Sequence, residues 1–266
     1  MIHLRTICYA LIAMLAGTHV MAQNSMREDI QQKVDSVMNR MTVEEKIGQL
    51  NQLTGDGEVT GPVTLNNSYQ DQIRQGMVGS MLNVNGAEYT RKIQKIAVEE
   101  SRLGIPLIFG YDVIHGYKTI FPVPLGESAS WDLEAIEKAS RIAAREATAA
   151  GQHWTFAPMM DISRDARWGR VMEGAGEDPY YGSLVARARI RGFQGDDFSK
   201  ENTMLACAKH YIGYGAARGG RDYNTVDMSM RRLHEIHLPP FKAAIDEGVA
   251  TFMSSFNELN GVPVTG

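Results

Sequence analysis

The sequence predicts an α/β protein in which strands and helices follow each other as repeated βα units. Short apolar stretches rich in β-prone residues alternate with longer stretches that repeat apolar residues at helical spacing. The five clear strand-like stretches are residues 79–84, 106–110, 154–160, 204–208 and 250–255. A weaker first strand at residues 47–53 makes about six units. Strands separated by helices are typical of a parallel sheet.

Two helices carry clear start signals. Thr42 and Glu45 have the spacing of a capping box, which predicts the start of a short helix. The clearest helical pattern covers residues 133–150, with Asp132 as its N-cap and Gly151 as its end. These signals support a helix after each of the strands that they separate.

Two further helical patterns lie in the second half of the chain. One begins near Tyr181, and another covers residues 230–238. Because proline lacks a backbone N–H, Pro239 and Pro240 are expected to interrupt the second helix. A last helix is then expected at residues 241–248.

The composition excludes several classes of protein. The 266 residues are 44% hydrophobic and 22% charged, which is typical of a globular domain and not of a disordered or disulfide-stapled chain. The 27 basic and 31 acidic side chains give a net charge of −4. Because this charge does not attract polyanions, we expect no nucleic acid and no anionic membrane as partner. A neutral small-molecule substrate is expected instead.

The N-terminus has the pattern of an export signal. A basic start, an apolar run at residues 7–17 and small residues before position 23 predict a cleavable signal peptide over residues 1–22. The run is too short to span a bilayer, so no membrane attachment is expected after cleavage. Cleavage removes Cys8 and leaves Cys207 alone. An exported protein without a disulfide is typical of a bacterial periplasm, which is the predicted location.

Polar side chains cluster directly after the apolar strands. In parallel α/β sheets the carboxyl ends of the strands meet at one edge, where active sites lie. The residues concerned are Asp112, Asp161, Lys209, His210 and Glu258.

A metal site is the first alternative chemistry. His234 and His237 are three residues apart, whereas a zinc-binding helix of a metalloprotease places its two histidines four apart. Asp112, His115 and His210 are a second possible ligand set, although the lysine beside His210 would repel a cation. We expect no metal ion, and a metal-dependent barrel hydrolase remains an alternative.

Other chemistries lack their motifs. Gly174 and Gly176 are not followed by the third glycine of a dinucleotide-binding loop, and neither a phosphate-binding GK[ST] loop nor a G-x-S-x-G elbow occurs. Cys207 lies in an apolar run, which favours an inert buried thiol. We therefore expect no cofactor.

The remaining residue types suit a sugar pocket, which needs charged hydrogen-bonding groups and aromatic rings. They are Asp112, Arg170, Lys209, His210, Trp168 and Phe256.

Two structural alternatives remain for these residues. Lys209 alone is compatible with a surface charge at a strand end. The residues at positions 164–170 are compatible with a loop of ion pairs.

Four long motifs resemble glycoside hydrolase family 3, in its periplasmic β-glucosidase type. They are GYDVIHG at 110–116, RDARWGR at 164–170 with EGAGEDP at 173–179, KHYIGYG at 209–215 with GGRDYN at 219–224, and FNELNG at 256–261. The resemblance covers residues 28–266 in order. It implies a (β/α)8 TIM-like barrel followed by an α/β sandwich domain, with the sugar bound between them.

The resemblance also implies roles for individual residues. Asp112, Arg170, Lys209 and His210 would bind hydroxyls of the non-reducing-end glucose of a β-glucoside or oligosaccharide. Phe256 would lie near the reacting carbon. The branch of the family that cleaves N-acetylhexosamines has a His-Asp pair after its Lys-His strand, which this sequence lacks. The glucosidase branch is therefore favoured.

The family's catalytic carboxylates have no counterpart in the sequence. A retaining glycosidase uses one carboxylate as nucleophile and a second as acid/base. The family's nucleophile is an Asp in a Ser-Asp-Trp or Ser-Asp-His motif, and neither motif occurs here. Glu258 and Asp161 do not match its position.

No catalytic residue is therefore assigned within the chain, and both catalytic carboxylates are expected beyond Gly266. About six of eight βα units are present. Residues 23–266 are expected to be the amino-terminal part of a truncated barrel, without its last strands and the sandwich domain, and inactive alone.

Two matters stay open. A short, non-catalytic carbohydrate-binding protein is the alternative to an incomplete enzyme. The sequence sets no oligomeric state.

Overall fold

A computed structural model describes residues 28–55 and 69–265 of the chain. The predicted signal peptide, residues 1–22, lies outside the described residues. Gly266, beyond which the catalytic carboxylates are expected, also lies outside the described residues. No helix in the described part is both long and apolar enough to cross a membrane.

Six parallel strands follow each other in chain order. The first four form one sheet in the order β1-β2-β3-β4, and β5 pairs with β6. Parallel bridges between Trp154 and Leu205 and between Met159 and Lys209 join the segment of β4 to that of β5. A short antiparallel hairpin, β7–β8, follows β6. The strands are β1 Gln52–Thr54, β2 Ser80–Leu82, β3 Ile108–Tyr111, β4 Trp154–Thr155, β5 Cys207–Tyr211, β6 Thr251–Ser254, β7 Glu258–Leu259 and β8 Val262–Pro263.

Helices separate the parallel strands, as the sequence predicts. The α-helices are α1 at residues 28–38, α2 Val43–Gly48, α3 Tyr69–Arg74, α4 Ala87–Lys95, α5 Pro124–Ser128, α6 Leu133–Ala149, α7 Pro179–Gln194, α8 Met230–Arg232 and α9 Leu238–Asp246. This alternation confirms the predicted α/β class with a parallel sheet. Among the described residues β1 and β6 do not pair, so the sheet does not close into a barrel.

The predicted first strand is wrong at its beginning. Ile47 and Gly48 belong to α2, and β1 begins only at Gln52. The capping box decides the local structure, because Glu45 N–H donates to Thr42 Oγ1 at 3.2 Å and Thr42 N–H donates to Glu45 Oε2 at 2.8 Å.

The predicted helix break at the double proline is also wrong. A π-helical turn over Leu233–His237 continues α8 directly into α9. Pro239 and Pro240 lie in the first turn of α9. The backbone N–H groups of a first helical turn need no partner within that turn, so proline is tolerated there.

The main core lies between α6, α7, α9 and β5. Alanine is its most frequent residue, with Ala143, Ala147 and Ala208 fully buried. Gly192 of α7 lies so close to α6 that a Cβ atom there would be 2.5 Å from the Cβ atom of Ser140. The two longest helices therefore pack at close range because their contact residues are small.

A buried ion pair fixes the chain behind the end of β3. Arg189 of α7 donates to the carboxylate of Glu127 in α5, and both side chains are buried. The same guanidinium donates to the Ile114 carbonyl at 2.9 Å. Ile114 follows Asp112 by two residues, so this pair holds the loop that carries a predicted site residue.

We predict that Gly192→Ala lowers the free energy of unfolding by about 1–3 kcal/mol, because the new methyl group forces α6 and α7 apart. Urea denaturation measures the change. Gly126→Ala is the matched control, since its Cβ would have no neighbour closer than 3.6 Å. The control is expected to be neutral or stabilising by up to about 1 kcal/mol. Equal effects of the two substitutions would contradict the account of the packing.

Candidate active site

All six parallel strands contribute to one open cavity of about 680 Å³ at their carboxyl ends. The cavity is within the size range of small-molecule sites in proteins. Its lining includes the five residues to which the family resemblance assigns sugar contacts: Asp112, Arg170, Lys209, His210 and Phe256. The other lining residues are Gln52, Thr54, Leu82, Phe156, Tyr223 and Met253. The structure thus brings the five residues together, while their role as ligands stays a prediction.

Asp112 and Lys209 form a pair across the sheet. Asp112 follows β3 and Lys209 lies in β5, and the lysine Nζ donates to Asp112 Oδ1 at 3.3 Å. The side chains are only 4% exposed for Lys209 and 18% exposed for Asp112. A buried ammonium group requires such a partner. Lys209 is therefore not the surface charge that the sequence left as an alternative.

His210 is held from behind by a buried carboxylate. Asp161 Oδ2 accepts from the backbone N–H of His210 at 3.0 Å and bonds its ring Nδ1 at 2.8 Å. Burial lowers the pKa of His210, while the Asp161 carboxylate acts in the opposite direction. The peptide bond between Lys209 and His210 is cis, and both side chains line the cavity.

Arg170 is fixed by a bidentate ion pair. Its Nε and Nη2 atoms donate to the two carboxylate oxygens of Glu173 at 2.6 and 2.8 Å. Its guanidinium carbon lies 5.5 Å from the centre of the Tyr214 ring. Burial alone would lower the pKa of Arg170, but the hydrogen bonds to Glu173 raise it overall. The guanidinium is therefore permanently charged and rigidly aimed.

The loop that carries Arg170 is not one connected network of ion pairs. Arg167 pairs separately with Asp165 at 2.7 Å on the surface. Hydrogen bonds from Arg167 lower the pKa of Asp165 to about 2. Only the Arg170 pair reaches the cavity.

Two aromatic rings form the open side of the cavity. Phe256 is half exposed, and its ring centre lies 5.2 Å from that of Tyr223 and 5.8 Å from that of His210. Trp168, a candidate on its residue type, does not line the cavity. Its ring is buried, and its Nε1–H donates to Asp222 at 2.9 Å. A ring covered in this way has no face left for a ligand.

The sequence analysis missed three supporting residues. Glu173 and Tyr223 occur there only within the quoted motifs, and Asp161 appears among the polar residues after the strands and as a rejected nucleophile, but not as a partner of His210. Asp161 is not among the lining residues, since it lies behind His210. The spacing of Glu173 three residues after Arg170 is the one signal for its ion pair in the sequence.

The candidate metal ligands do not form a metal site among the described residues, although Asp112 and His210 line the same cavity. The His115 ring bonds the Phe121 carbonyl at 3.0 Å. His234 is exposed, whereas His237 on the same π-helical turn is buried. Across residues 28–55 and 69–265, no group of three or more His, Cys, Asp or Glu side chains is placed to hold a metal ion. Cys207 is buried, which raises its pKa to about 11, as expected of an inert thiol.

The groups that line the cavity are of the types that can bind hydroxyl groups. Lys209 and Arg170 supply charged donors, Asp112 supplies a carboxylate acceptor, and Phe256 supplies an apolar surface. Such charge-assisted hydrogen bonds are short and directional. The arrangement suits a neutral ligand with several adjacent hydroxyl groups and an apolar face.

The matching family model is the glycosyl hydrolase family 3 N-terminal domain, which covers residues 42–266. The chain is therefore a member of the glycoside hydrolases, and it belongs to family 3 of this class.

Individual relatives agree with this assignment. The periplasmic beta-glucosidase of Salmonella typhimurium is 40% identical over 87% of this chain and 30% of its own length. A beta-xylosidase of Formosa agariphila is 32% identical over 94% of this chain and 30% of its own. The beta-glucosidase of Listeria innocua, solved in complex with isofagomine, superposes with a TM-score of 0.81 at 43% identity. The superposition covers 88% of this chain and 33% of that one. A variant of the same enzyme was solved with laminaribiose. The chain thus spans about a third of the length of these relatives.

We predict that the buried His237 makes the protein sensitive to acid. Burial, and next the charge of Arg232, lower the pKa of its ring to about 4, whereas an unfolded histidine titrates near 6.5. The unfolded chain therefore binds more protons between these values, and stability falls as the pH falls. From pH 7 to pH 5, urea denaturation should show that the wild type loses about 2 kcal/mol more than His237→Gln.

His234→Gln is the matched control, because this exposed histidine lies on the same turn. It is expected to lose as much stability as the wild type. His210 is present in all three proteins, so its own contribution cancels. An acid response of His237→Gln equal to that of the wild type would contradict the prediction.

Proposed function

We propose that this chain forms the glucose-binding wall of a retaining β-glucosidase that removes terminal, non-reducing β-D-glucosyl residues from β-glucosides and oligosaccharides. The observation that carries the proposal is the convergence of charged donors, one carboxylate acceptor and an aromatic surface on a single cavity. Family membership supports glycoside chemistry, and the names of the relatives support a β-linked sugar.

The proposed contacts follow from the chemistry of each group. Sugar hydroxyls donate to Asp112 and accept from Lys209 and Arg170. The ring of Phe256 packs against the apolar C–H face of the sugar. Because the ion pairs already fix Lys209 and Arg170, little side-chain entropy is lost on binding.

Glucose is the proposed sugar, and xylose is its closest competitor. The Salmonella and Listeria relatives are named beta-glucosidases, and the latter was solved with the glucose disaccharide laminaribiose. The Formosa relative is named a beta-xylosidase. Xylose lacks the exocyclic hydroxymethyl group, so the affinities for the two sugars measure whether the cavity uses that group.

The chain alone is proposed to bind without hydrolysing. Retaining hydrolysis requires two carboxyl groups about 5–5.5 Å apart. Among the described residues that line the cavity, Asp112 is the one carboxylate, and it is paired with Lys209. The sequence contains no Ser-Asp-Trp or Ser-Asp-His motif. The nucleophile and the acid/base are thus proposed to lie beyond Gly266, outside these 266 residues.

The same geometry suits a non-catalytic carbohydrate-binding protein. That function would use the identical site and differ only in the absence of turnover.

The proposed location is the periplasm, reached by export with a signal peptide that is cleaved after residue 22. The periplasmic relative supports this location.

We predict that Asp112→Asn weakens glucose binding at least about tenfold, because hydrogen bonds to charged groups contribute about 1.5–3 kcal/mol. Calorimetric titration measures the affinity. Asp165→Asn is the matched control, since Asp165 pairs with Arg167 on the surface. It is expected to bind like the wild type. Unchanged affinity in Asp112→Asn would refute the proposed contact.

We predict that the purified 266-residue chain releases no detectable nitrophenol from p-nitrophenyl β-D-glucoside. The reason is that retaining hydrolysis requires two catalytic carboxylates, whereas Asp112, the one carboxylate among the described residues that line the cavity, is proposed to bind sugar hydroxyls. Turnover that Asp112→Asn abolishes would contradict the prediction. Glucose binding in the same preparation is the control for correct folding.

A further inference from the structure

His210 makes two hydrogen bonds to a single oxygen atom of Asp161, one from its backbone N–H and one from its ring. Asp161 Oδ2 lies 3.0 Å from the backbone nitrogen of His210 and 2.8 Å from its Nδ1. The two side chains are only 2% and 1% exposed. A backbone N–H can only donate, so Oδ2 acts as an acceptor in this arrangement.

This acceptor determines which ring nitrogen carries the proton. A carboxylate oxygen has no proton to donate, so its hydrogen bond to Nδ1 requires a proton on Nδ1. A neutral imidazole then has no proton on Nε2. Burial, which lowers the pKa of His210, favours the neutral ring over the imidazolium ion.

The second ring nitrogen is the one available to a ligand. His210 lines the cavity, and its Nε2 makes no hydrogen bond within the described part of the chain. Lys209 and Arg170, which line the same cavity, carry hydrogen-bond donors. An unprotonated Nε2 would give the cavity a neutral hydrogen-bond acceptor in addition to the charged carboxylate of Asp112.

We propose that Asp161 is a positioning residue that locks His210 as the Nδ1–H tautomer, so that Nε2 accepts a hydrogen bond from a ligand hydroxyl. The assignment of a sugar hydroxyl as the donor to Nε2 deepens the proposed function and rests on it. The hydroxyl concerned must donate, so a ligand with an ether or a fluorine at that position is rejected. A metal ion is not required for this role.

Two substitutions of Asp161 distinguish an effect of the His210 tautomer from an effect of the negative charge of Asp161. In Asp161→Asn the amide oxygen can replace Oδ2, since the Oδ1 side has no hydrogen-bonding partner in the described residues. This variant removes the charge and keeps the acceptor. Asp161→Leu has a similar size and removes the acceptor. Asp165→Asn is a control for an aspartate in the same loop that does not contact His210.

The test is nitrogen NMR of the full chain with ¹⁵N-labelled histidine, without sugar. The signals of His210 are assigned by their loss in His210→Gln. In the wild type and in Asp161→Asn we expect a proton on Nδ1 and none on Nε2. In Asp161→Leu we expect the Nε2–H tautomer to become populated. Glucose affinity should stay within about threefold in Asp161→Asn and fall about tenfold in Asp161→Leu.

A proton on Nε2 of wild-type His210 would overturn the proposal. So would an Asp161→Leu protein that keeps both the wild-type tautomer and the wild-type affinity. The wild-type spectrum decides the tautomer even if Asp161→Leu does not fold. It also needs no ligand, so a protein without glucose affinity would overturn the proposed function and leave the tautomer result standing.

Discussion

The contact between Lys209 and Asp112 is the constraint on which the rest of the site depends. A lysine that is 4% exposed loses the solvation of its ammonium group, and only an opposite charge at close range offsets that cost. The partner lies after β3 and the lysine lies within β5, so the strands between them must keep their parallel order. A strand register that separated Asp112 from Lys209 would leave a buried charge unpaired. The pair therefore links the fold to the cavity.

A second layer of side chains orients the groups that face the cavity. Glu173 holds Arg170, and Asp161 holds His210. Below them, Asp222 accepts from the indole of Trp168. Such supporting bonds preorganise a polar site, because the ligand then meets side chains that have already lost their freedom. The orientation of Arg170 and His210 is therefore set by two carboxylates that do not line the cavity themselves.

The sequence predicts the fold class well, because apolar stretches, helical spacing and caps are local signals. α6 follows its predicted bounds within one residue. Of the five residues selected for the site, Lys209 and His210 lie in β5 and the other three lie after strands, and a parallel sheet brings them together. The failures arise where tertiary contacts decide. Trp168 has the residue type of a sugar platform, but its indole is covered. The double proline lies in the first turn of α9 and does not break the helix, because a π-helical turn joins α8 to α9 there. No local signal assigns Asp161 to His210, since 49 residues separate them.

A crystal structure of the protein grown with saturating glucose would test the proposed sugar site. We expect one sugar ring in the cavity, with hydroxyl oxygens within about 3.2 Å of Asp112, Lys209, Arg170 and His210. We also expect the Phe256 ring to lie against the apolar face of the sugar. A cavity without sugar at saturation, or a glucose bound only elsewhere on the chain, would refute the proposed site.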